Sequence, residues 1–574
     1  MKNAEIARIF SEISEYLEMQ DIPFKPRAYQ RVALAIEDLE TEIADIYQSG
    51  GLKALKQIPG VGQAIAEKIE EILRTGRLKY YEQLKRATPV DLSALSKIES
   101  LGPKRVKALY ERLKIKNVSE LEKAARAGRI RNLSGFGEKS EENILRSISF
   151  YYSQSGRITL DKAIPIARSL ENYLAGFPYV KKVIVAGSLR RFKETIGDLD
   201  VLVVSQNPRR VTEAFIKQPD VARVLARGDT KSSVTLKQGI DADLRIVTAD
   251  SYGAALNYFT GSKAHNIALR RIAQSRGLKL NEYGLFRGKK QIAGATEAGL
   301  YEALGLAYIE PEMREDVGEI ELARKHDLPK LIKYGTLQGD LQIQTNWTDG
   351  RDSIEAMARA AMKNGLKYIA ITDHTKSLAM TGGLDERRLI QQGREIDKLN
   401  KKFKGKFKIF KGTECNILKD GSLDLDNRTL AKLDVVGAAV HSHFNLFQKQ
   451  QTERIKKAMA NPHVDIIFHP TGRLIGQRPP YEIGMDEIIN FARATKTVLE
   501  IDGHPQRLDL RDDYIRKCAT LGIKMSIDSD AHSTGAIAYL DVGIAQARRG
   551  WATKKDIINA WPADKMLQFL KPRR

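Results

Sequence analysis

Cysteine is nearly absent. The 574 residues include two, Cys415 and Cys518. One pair cannot staple a chain of this length, so a disulfide scaffold is excluded and a reducing cytoplasm fits as the expected location. Long apolar runs are lacking too. No stretch is long and hydrophobic enough to span a bilayer. The N-terminus has no signal-peptide core, and Ile6 to Leu17 instead repeats its apolar residues with helical period. Acidic residues are in deficit, 72 Asp and Glu against 94 Lys and Arg, for a formal charge of +22. Such an excess of cations favours a polyanionic partner, because each phosphate contact releases condensed counterions. What remains is a 42% hydrophobic chain, rich enough for ordinary packed cores. Its length asks for roughly three to four domains.

The patterning changes along the chain. Residues 1 to about 150 are dense in helical periods broken by short Gly-containing turns. From about 158 to 310, strand-like runs such as VKKVIVAGS, LDVLVV and DADLRIV mix with helices. Residues 311–335 are charged and carry Pro311 and Pro329, which suggests a connection. From Gly339 onward, apolar strands alternate with helical patterns, the signature of parallel βα units.

Three segments in the first region resemble one another. Ile58-Pro-Gly-Val-Gly62 precedes AIAEKIEEIL, Leu101-Gly-Pro103 precedes KRVKALYERL, and Leu133-Ser-Gly-Phe-Gly137 precedes EKSEENIL. Each predicts a small hairpin entering a helix. Glycines (Gly60, Gly62, Gly102, Gly135, Gly137) permit the turn, and N–H groups at the helix start can hold a DNA phosphate without reading sequence. Repetition beside Lys and Arg favours helix-hairpin-helix binding to DNA over plain helical turns.

The strongest chemical signal is VAGSLRRFKETIGDLDVLVV. Residues two apart on a strand share a face, so Asp198 and Asp200 project together while Leu199 and Val201 enter the core. Two adjacent carboxylates favour a hard cation such as Mg²⁺ between them. GIDADLRIV supplies a third acid, Asp243 by its alternation, with Asp241 as runner-up. Three carboxylates holding two divalent ions form the arrangement for in-line phosphoryl transfer. Ser188, the backbone at Gly187, and Arg191 would cradle phosphate beside them. Arg245 is placed to hold one of the aspartates in position.

GSLRRFKETIGDLD, DLRIV and SYGAALNYFTGSKAHNIALRR occur in the order seen in the DNA polymerase beta group, and residues 1–310 resemble a family X DNA polymerase. The resemblance implies that Asp198, Asp200 and Asp243 bind Mg²⁺ or Mn²⁺. It implies that Ser188 and Arg191 meet the incoming dNTP, with Tyr258, Phe259 and Gly261 lining the sugar pocket, Asn266 at the base, Arg270 at the template and Tyr283 near the minor groove. Lys263 stands where the beta enzyme has an acid. Lys68 matches that enzyme's lyase nucleophile, although a supporting lysine of the motif is Ala64 here. An untemplated RNA nucleotidyltransferase would share GS and DxD, but not the hairpin series or the Tyr258-Phe259 pair.

In the βα half, ligand-type residues gather at the carboxyl ends of apolar strands, where barrel active sites assemble. KYIAITDHT ends in Asp373-His374, KFKIFKGTECN in Glu414, LDVVGAAVHSH in His441 and His443, VDIIFHP in His469, and IKMSIDSDAH in Asp530 and His532. The chain has nine histidines in all, so this placement is selective. Imidazole and carboxylate together indicate Zn²⁺ or Mn²⁺. Residues from about 336 to 570 resemble a PHP domain, a distorted (β/α)7 barrel with a three-metal phosphoesterase site that removes nucleotides from DNA 3′ ends in relatives. The resemblance implies Asp349, His374, Glu414, His441, His469, Asp530 and His532 as ligands.

Three positions depart from that pattern. The opening His-x-His motif is Gln342 and Gln344, and Asn416 stands where an acid is common. A neutral amide is a weaker donor than imidazole, so the ion sharing Asp530 and Gln344 should be weakened. The expected organisation is a lyase-like helical domain at 1–85, a helix-hairpin-helix fingers region at 86–150, a palm and thumb at 151–315, a linker at 316–335 and the barrel at 336–574. The expected function is filling of gapped or nicked DNA in base excision repair by a nucleoid-associated monomer, with the barrel as a 3′–5′ exonuclease or as a scaffold.

Overall fold

The computed structural model describes residues 3–570 except 38, 40, 97, 99, 100 and 155. The chain forms two compact units, residues 1–155 with 476–479, and residues 156–475 with 480–574.

The first unit is helical. Apolar residues at helical spacing explain its packing: in Gln63–Thr75, Ala66, Ile69 and Ile72 are buried, and the helix stops at Gly76 in the left-handed conformation. The three glycine corners form. Gly60 and Gly135 take φ of 82° and 84°, which L side chains avoid. Gly62 caps Gln63–Thr75, and Gly102 caps Pro103–Leu113 with proline at its first position. Ile58, Val61 and Leu101 tuck beneath these corners into the core, leaving Gly62 and Gly102 exposed.

The second unit contains two sheets that position the chemistry. A five-stranded sheet runs in the order Val180–Val185, Asp198–Ser205, Asp241–Val247, Lys231–Leu236, Val221–Ala226. Its two aspartate-bearing strands are parallel and adjacent. Helices Leu160–Ala175 and Pro208–Ile216 pack apolar faces on one side, while Ala255 and Leu256 of Tyr252–Thr260 cover the other with Leu202. A three-stranded meander, Lys279–Asn281, Gly284–Arg287 and Lys290–Ala293, follows.

Residues 316–335 are not a loose linker. Glu319–Arg324 is helical, and Ile320 and Ala323 enter the same core as Leu269, Leu285 and Tyr301. The charged composition hid one apolar pair at helical spacing. The buried carboxylate of Glu319 also closes the turn by accepting the Asp316 and Val317 N–H groups.

The barrel has seven parallel strands in sequence order: Gly339–Ile343, Tyr368–Ile371, Lys408–Asn416, Val435–Ala439, Ile466–Ile467, Val498–Asp502 and Met525–Asp528. It returns on itself, since Gln344 donates its N–H to the Ala531 carbonyl at 2.9 Å. Strand alternation splits its core. Tyr368 and Ala370 join a cluster closed by Trp561 and Met566, whereas Ile369 and Ile371 meet helix residues such as Met357. Ile475, Leu508 and Val542 of the barrel join the core of the five-stranded sheet. Among the described residues, no helix is long and apolar enough to cross a membrane.

Candidate active sites

The parallel register sets Asp200 opposite Asp243 and Asp198 opposite Asp241. Leu199 and Val201 are fully buried between them, as alternation predicts. Ser233 donates its hydroxyl to Asp243, and Thr235 donates to Asp241 at 2.7 Å. Burial, then the charges of Asp198 and Asp243, push the Asp200 carboxyl up to about 7. Two carboxylates this close to a half-buried third are a donor set that a divalent cation would relieve, and their oxygen chemistry fits a hard ion.

Gly187 shows why the GS pair precedes them. Its φ is +65°, and a Cβ there would lie 2.3 Å from Asp200 Oδ2. Only glycine lets the chain turn against that carboxylate. The next side chain, Ser188, has a buried hydroxyl without a protein partner. Both residues line a cavity of about 520 Å³ that also takes in Asp198, Asp200, Arg191, Tyr258, Phe259, Gly261, Lys263, Asn266 and Arg270. The sequence reading overlooked Arg157 and Lys193, which line it as well. The five basic side chains Arg157, Arg191, Lys193, Lys263 and Arg270 suit a polyphosphate.

Other predicted contacts take particular forms. Tyr258 and Phe259 meet edge to face, 5.2 Å between centroids. Asn266 Nδ2 donates to the Tyr258 carbonyl at 2.6 Å. Arg245 lies over the Phe259 ring, 5.4 Å from its centre, and its charge opposes the rise of the Asp200 pKa. Arg191 is gripped by Glu315 (3.1 Å from Nε), and burial lowers its pKa. Tyr283 is exposed at the turn where Asn281 accepts its N–H. In the first unit, Lys68 donates to the Ala64 carbonyl at 3.2 Å, with its ammonium 5.3 Å from the centre of the Tyr80 ring.

In the barrel, Glu414 is the hub. Its Oε1 lies 2.8 Å from His469 Nε2 and 3.0 Å from His441 Nε2, and its Oε2 lies 3.4 Å from His374 Nδ1. Burial alone would raise the Glu414 pKa, but these imidazoles hold it well below the ordinary range. Burial pushes His441 down to about 4. Asp349 Oδ2 lies 3.6 Å from His374 Nε2 and 3.7 Å from His532 Nε2. Two triads, Asp349–His374–His532 and His374–Glu414–His441, each bring ligand atoms within 4.8 Å of one another. Ring nitrogens of His374, His441 and His469 are buried without a hydrogen bond, so mixed nitrogen and oxygen donors fit divalent ions there.

Not every candidate joins the cluster. Asp373 is occupied structurally by Thr345, Thr348 and Gln392. His443 is exposed and in neither triad. Asn416 accepts from His441 Nδ1 at 2.7 Å, which fixes that ring from behind. His469 and Asp530 hold φ of 30° and 50°, local strain of the kind that accompanies functional sites. The sequence reading missed Arg507, Glu500 and Asp502, although the sixth barrel strand ends in the acids of EID and runs straight into GHPQR. Burial and neighbouring carboxylates raise Glu500 and Asp502 well above the ordinary range.

The fold and its carboxylate trio define a nucleotidyltransferase palm and thumb, preceded by helix-hairpin-helix elements and followed by a metal-ligand barrel. Residues 255–315 match the DNA polymerase beta thumb family, residues 1–78 a helix-hairpin-helix domain, and residues 92–149 a SAM-like helix-hairpin-helix tandem. The chain is 38% identical over 576 residues to the DNA polymerase/3′-5′ exonuclease PolX of Bacillus subtilis (strain 168), covering 100% of both. It is 25% identical over 348 residues to DNA polymerase lambda of Arabidopsis thaliana, covering 54% of this chain and 62% of that one. Over 227 residues it is 29% identical to a probable phosphatase of Caldanaerobacter subterraneus, covering 38% of this chain and 84% of that one. The chain belongs to the family X DNA polymerases of the PolX type.

Proposed function

We propose that the chain fills short gaps in DNA by template-directed nucleotidyl transfer, and that its barrel trims 3′ ends. The observation that carries the first activity is that Asp198 and Asp200 line a basic cavity with Tyr258 and Phe259, with Asp243 in register beside Asp200 on the next strand. Asp198, Asp200 and Asp243 would hold Mg²⁺ or Mn²⁺, which when bound lowers the pKa of the primer 3′-hydroxyl and neutralises the triphosphate. Ser188 and Arg191 orient the phosphates. Tyr258, Phe259 and Gly261 crowd the sugar face where a 2′-hydroxyl would project. Arg270 and Tyr283 lie along the duplex, and the exposed glycine corners hold backbone phosphates on either side of a gap or nick. In this reading the unit of action is a monomer.

The barrel triads suit Mn²⁺ or Zn²⁺, whose contribution when bound is to polarise a phosphodiester and activate water. His374, His441 and His469 converge on Glu414, and the similarity to the Bacillus polymerase/3′-5′ exonuclease supports a 3′–5′ exonuclease over a scaffold. Extension of a one-nucleotide gap with the single matching dNTP tests the polymerase reading. Wild type should add one nucleotide in Mg²⁺, and Asp200→Ala should add none. Equal extension by that variant would refute the assignment.

A further inference from the structure

The PHP resemblance implies three ions, but the side chains provide for two. The triads Asp349–His374–His532 and His374–Glu414–His441 are the groups of His, Cys, Asp or Glu that converge among the described residues. The remaining corner, beside Glu414 and Asp530, is built differently. Gln344 Nε2 donates to Glu414 Oε2 at 2.7 Å, so an N–H faces the carboxylate where a ligand lone pair would be needed. Turning the amide over would set its oxygen against that carboxylate oxygen. Gln342, fully buried two residues earlier, offers a neutral amide with neither polar atom partnered.

The corner also contains a cation of its own. Arg507 Nε lies 3.3 Å from Asp530 Oδ2 and 3.4 Å from Asp502 Oδ2. Asp502 is fully buried and Asp530 nearly so. A guanidinium is permanently charged and has no lone pair, so it neutralises carboxylates but ligates nothing. Two cations a few ångströms apart in a water-poor site repel strongly, and Arg507 therefore opposes entry of an ion that Asp530 would share.

We propose that the barrel is a two-ion centre in which Arg507 is the resident cation of the third corner, held between Asp502 and Asp530. The inference rests on the reading of the barrel as a metal centre. It goes beyond the weakening expected from the glutamines alone, because it assigns the exclusion to Arg507. Restoring the two histidines is then insufficient to bring in a third ion.

The test is a metal count on the full chain. Protein is stripped with chelator, reloaded in excess Mn²⁺, desalted and measured by plasma mass spectrometry, with electron paramagnetic resonance reporting coupled Mn²⁺. Wild type should hold about two Mn²⁺ in the barrel, counted in an Asp198→Ala/Asp200→Ala background that empties the palm. Adding Gln342→His and Gln344→His should leave the count at about two, and adding Arg507→Gln to these should raise it to about three. Arg507→Lys in the same background keeps the charge and should stay at two. Three ions in the wild-type barrel, three in the histidine double variant with Arg507 intact, or no gain on Arg507→Gln would each overturn the proposal. A folded protein that retains no Mn²⁺ in its barrel would fail the metal-centre reading beneath it, and the two failures are thereby distinguished. If the Arg507→Gln protein does not fold, the wild-type and histidine-variant counts decide the question.

Discussion

Arg549 of the barrel donates to the backbone carbonyl of Arg191 in the palm at 2.9 Å. The same nitrogen lies 3.2 Å from Glu315 Oε1, the atom that Arg191 Nε also approaches, at 3.1 Å. Arg549 is almost wholly buried and its other nitrogen pairs with Asp512. The barrel thus reaches the backbone and the counter-ion of a residue that lines the cavity beside Asp198 and Asp200. Arg549→Ala should leave Glu315 to Arg191 and Lys193 and remove the anchor on the Arg191 carbonyl, which loosens the aim of Arg191. The expected result is a KM for dNTP raised roughly three- to tenfold, with a smaller loss in kcat. Steady-state gap filling checks it; an unchanged KM would show that the contact is only structural.

The pH dependence of metal use follows from Asp200, whose carboxyl sits near 7. A cation binds the ionised form, so protonation below pH 7 competes with it. The Mg²⁺ concentration for half-maximal extension should fall about tenfold per unit as pH rises toward 7, then level off. The sign for the metal-free fold is opposite. A carboxyl raised in the folded state makes folding less favourable as pH rises from about 4 to 7, and Mg²⁺ should restore the loss. Mg²⁺ titrations at pH 6 and 8, with melting curves, test both.

Gly187→Ala should be nearly inactive while remaining folded. The new methyl would press on Asp200 Oδ2, and the positive φ adds strain of about 1–2 kcal/mol. Gap filling should fall at least about a hundredfold, since the carboxylate must move from its place. Circular dichroism would confirm an intact fold.

Asn416→Ala removes the acceptor behind His441. Loss of such outer support ordinarily weakens metal binding by about 10–100-fold. Competition against a chromogenic chelator should detect that drop in the barrel, with Mg²⁺-dependent extension unaffected.

Lys68 is placed beside Tyr80 and tied to the Ala64 carbonyl. Borohydride should trap it on an abasic 5′-deoxyribose phosphate end, and Lys68→Ala should abolish the adduct. Equal trapping by the variant would assign the nucleophile elsewhere.

Much of this was legible in the chain because it depends on local geometry. Two-residue alternation placed Asp198 and Asp200 together, and the strand-end rule found His374, Glu414, His441 and His469. What escaped depends on tertiary approach. Nothing near Arg507 in sequence indicates that its guanidinium meets Asp530, and Arg157 enters the cavity beside Asp198 and Asp200 from outside the GS–DxD motif. Residues 316–335 looked like a linker because charge outnumbers their few core residues. Asn416 looked like a lost ligand, yet its amide oxygen serves the ring of His441.

On the proposed function, one chain contains two separate metal chemistries. The most direct measurement compares Asp200→Ala and His469→Ala on one 3′-labelled gapped duplex, with dNTP and Mg²⁺ or with Mn²⁺ alone. Asp200→Ala should lose extension and retain 3′ nucleotide removal, and His469→Ala should do the reverse. Loss of both activities in either folded variant, or of neither, would contradict it.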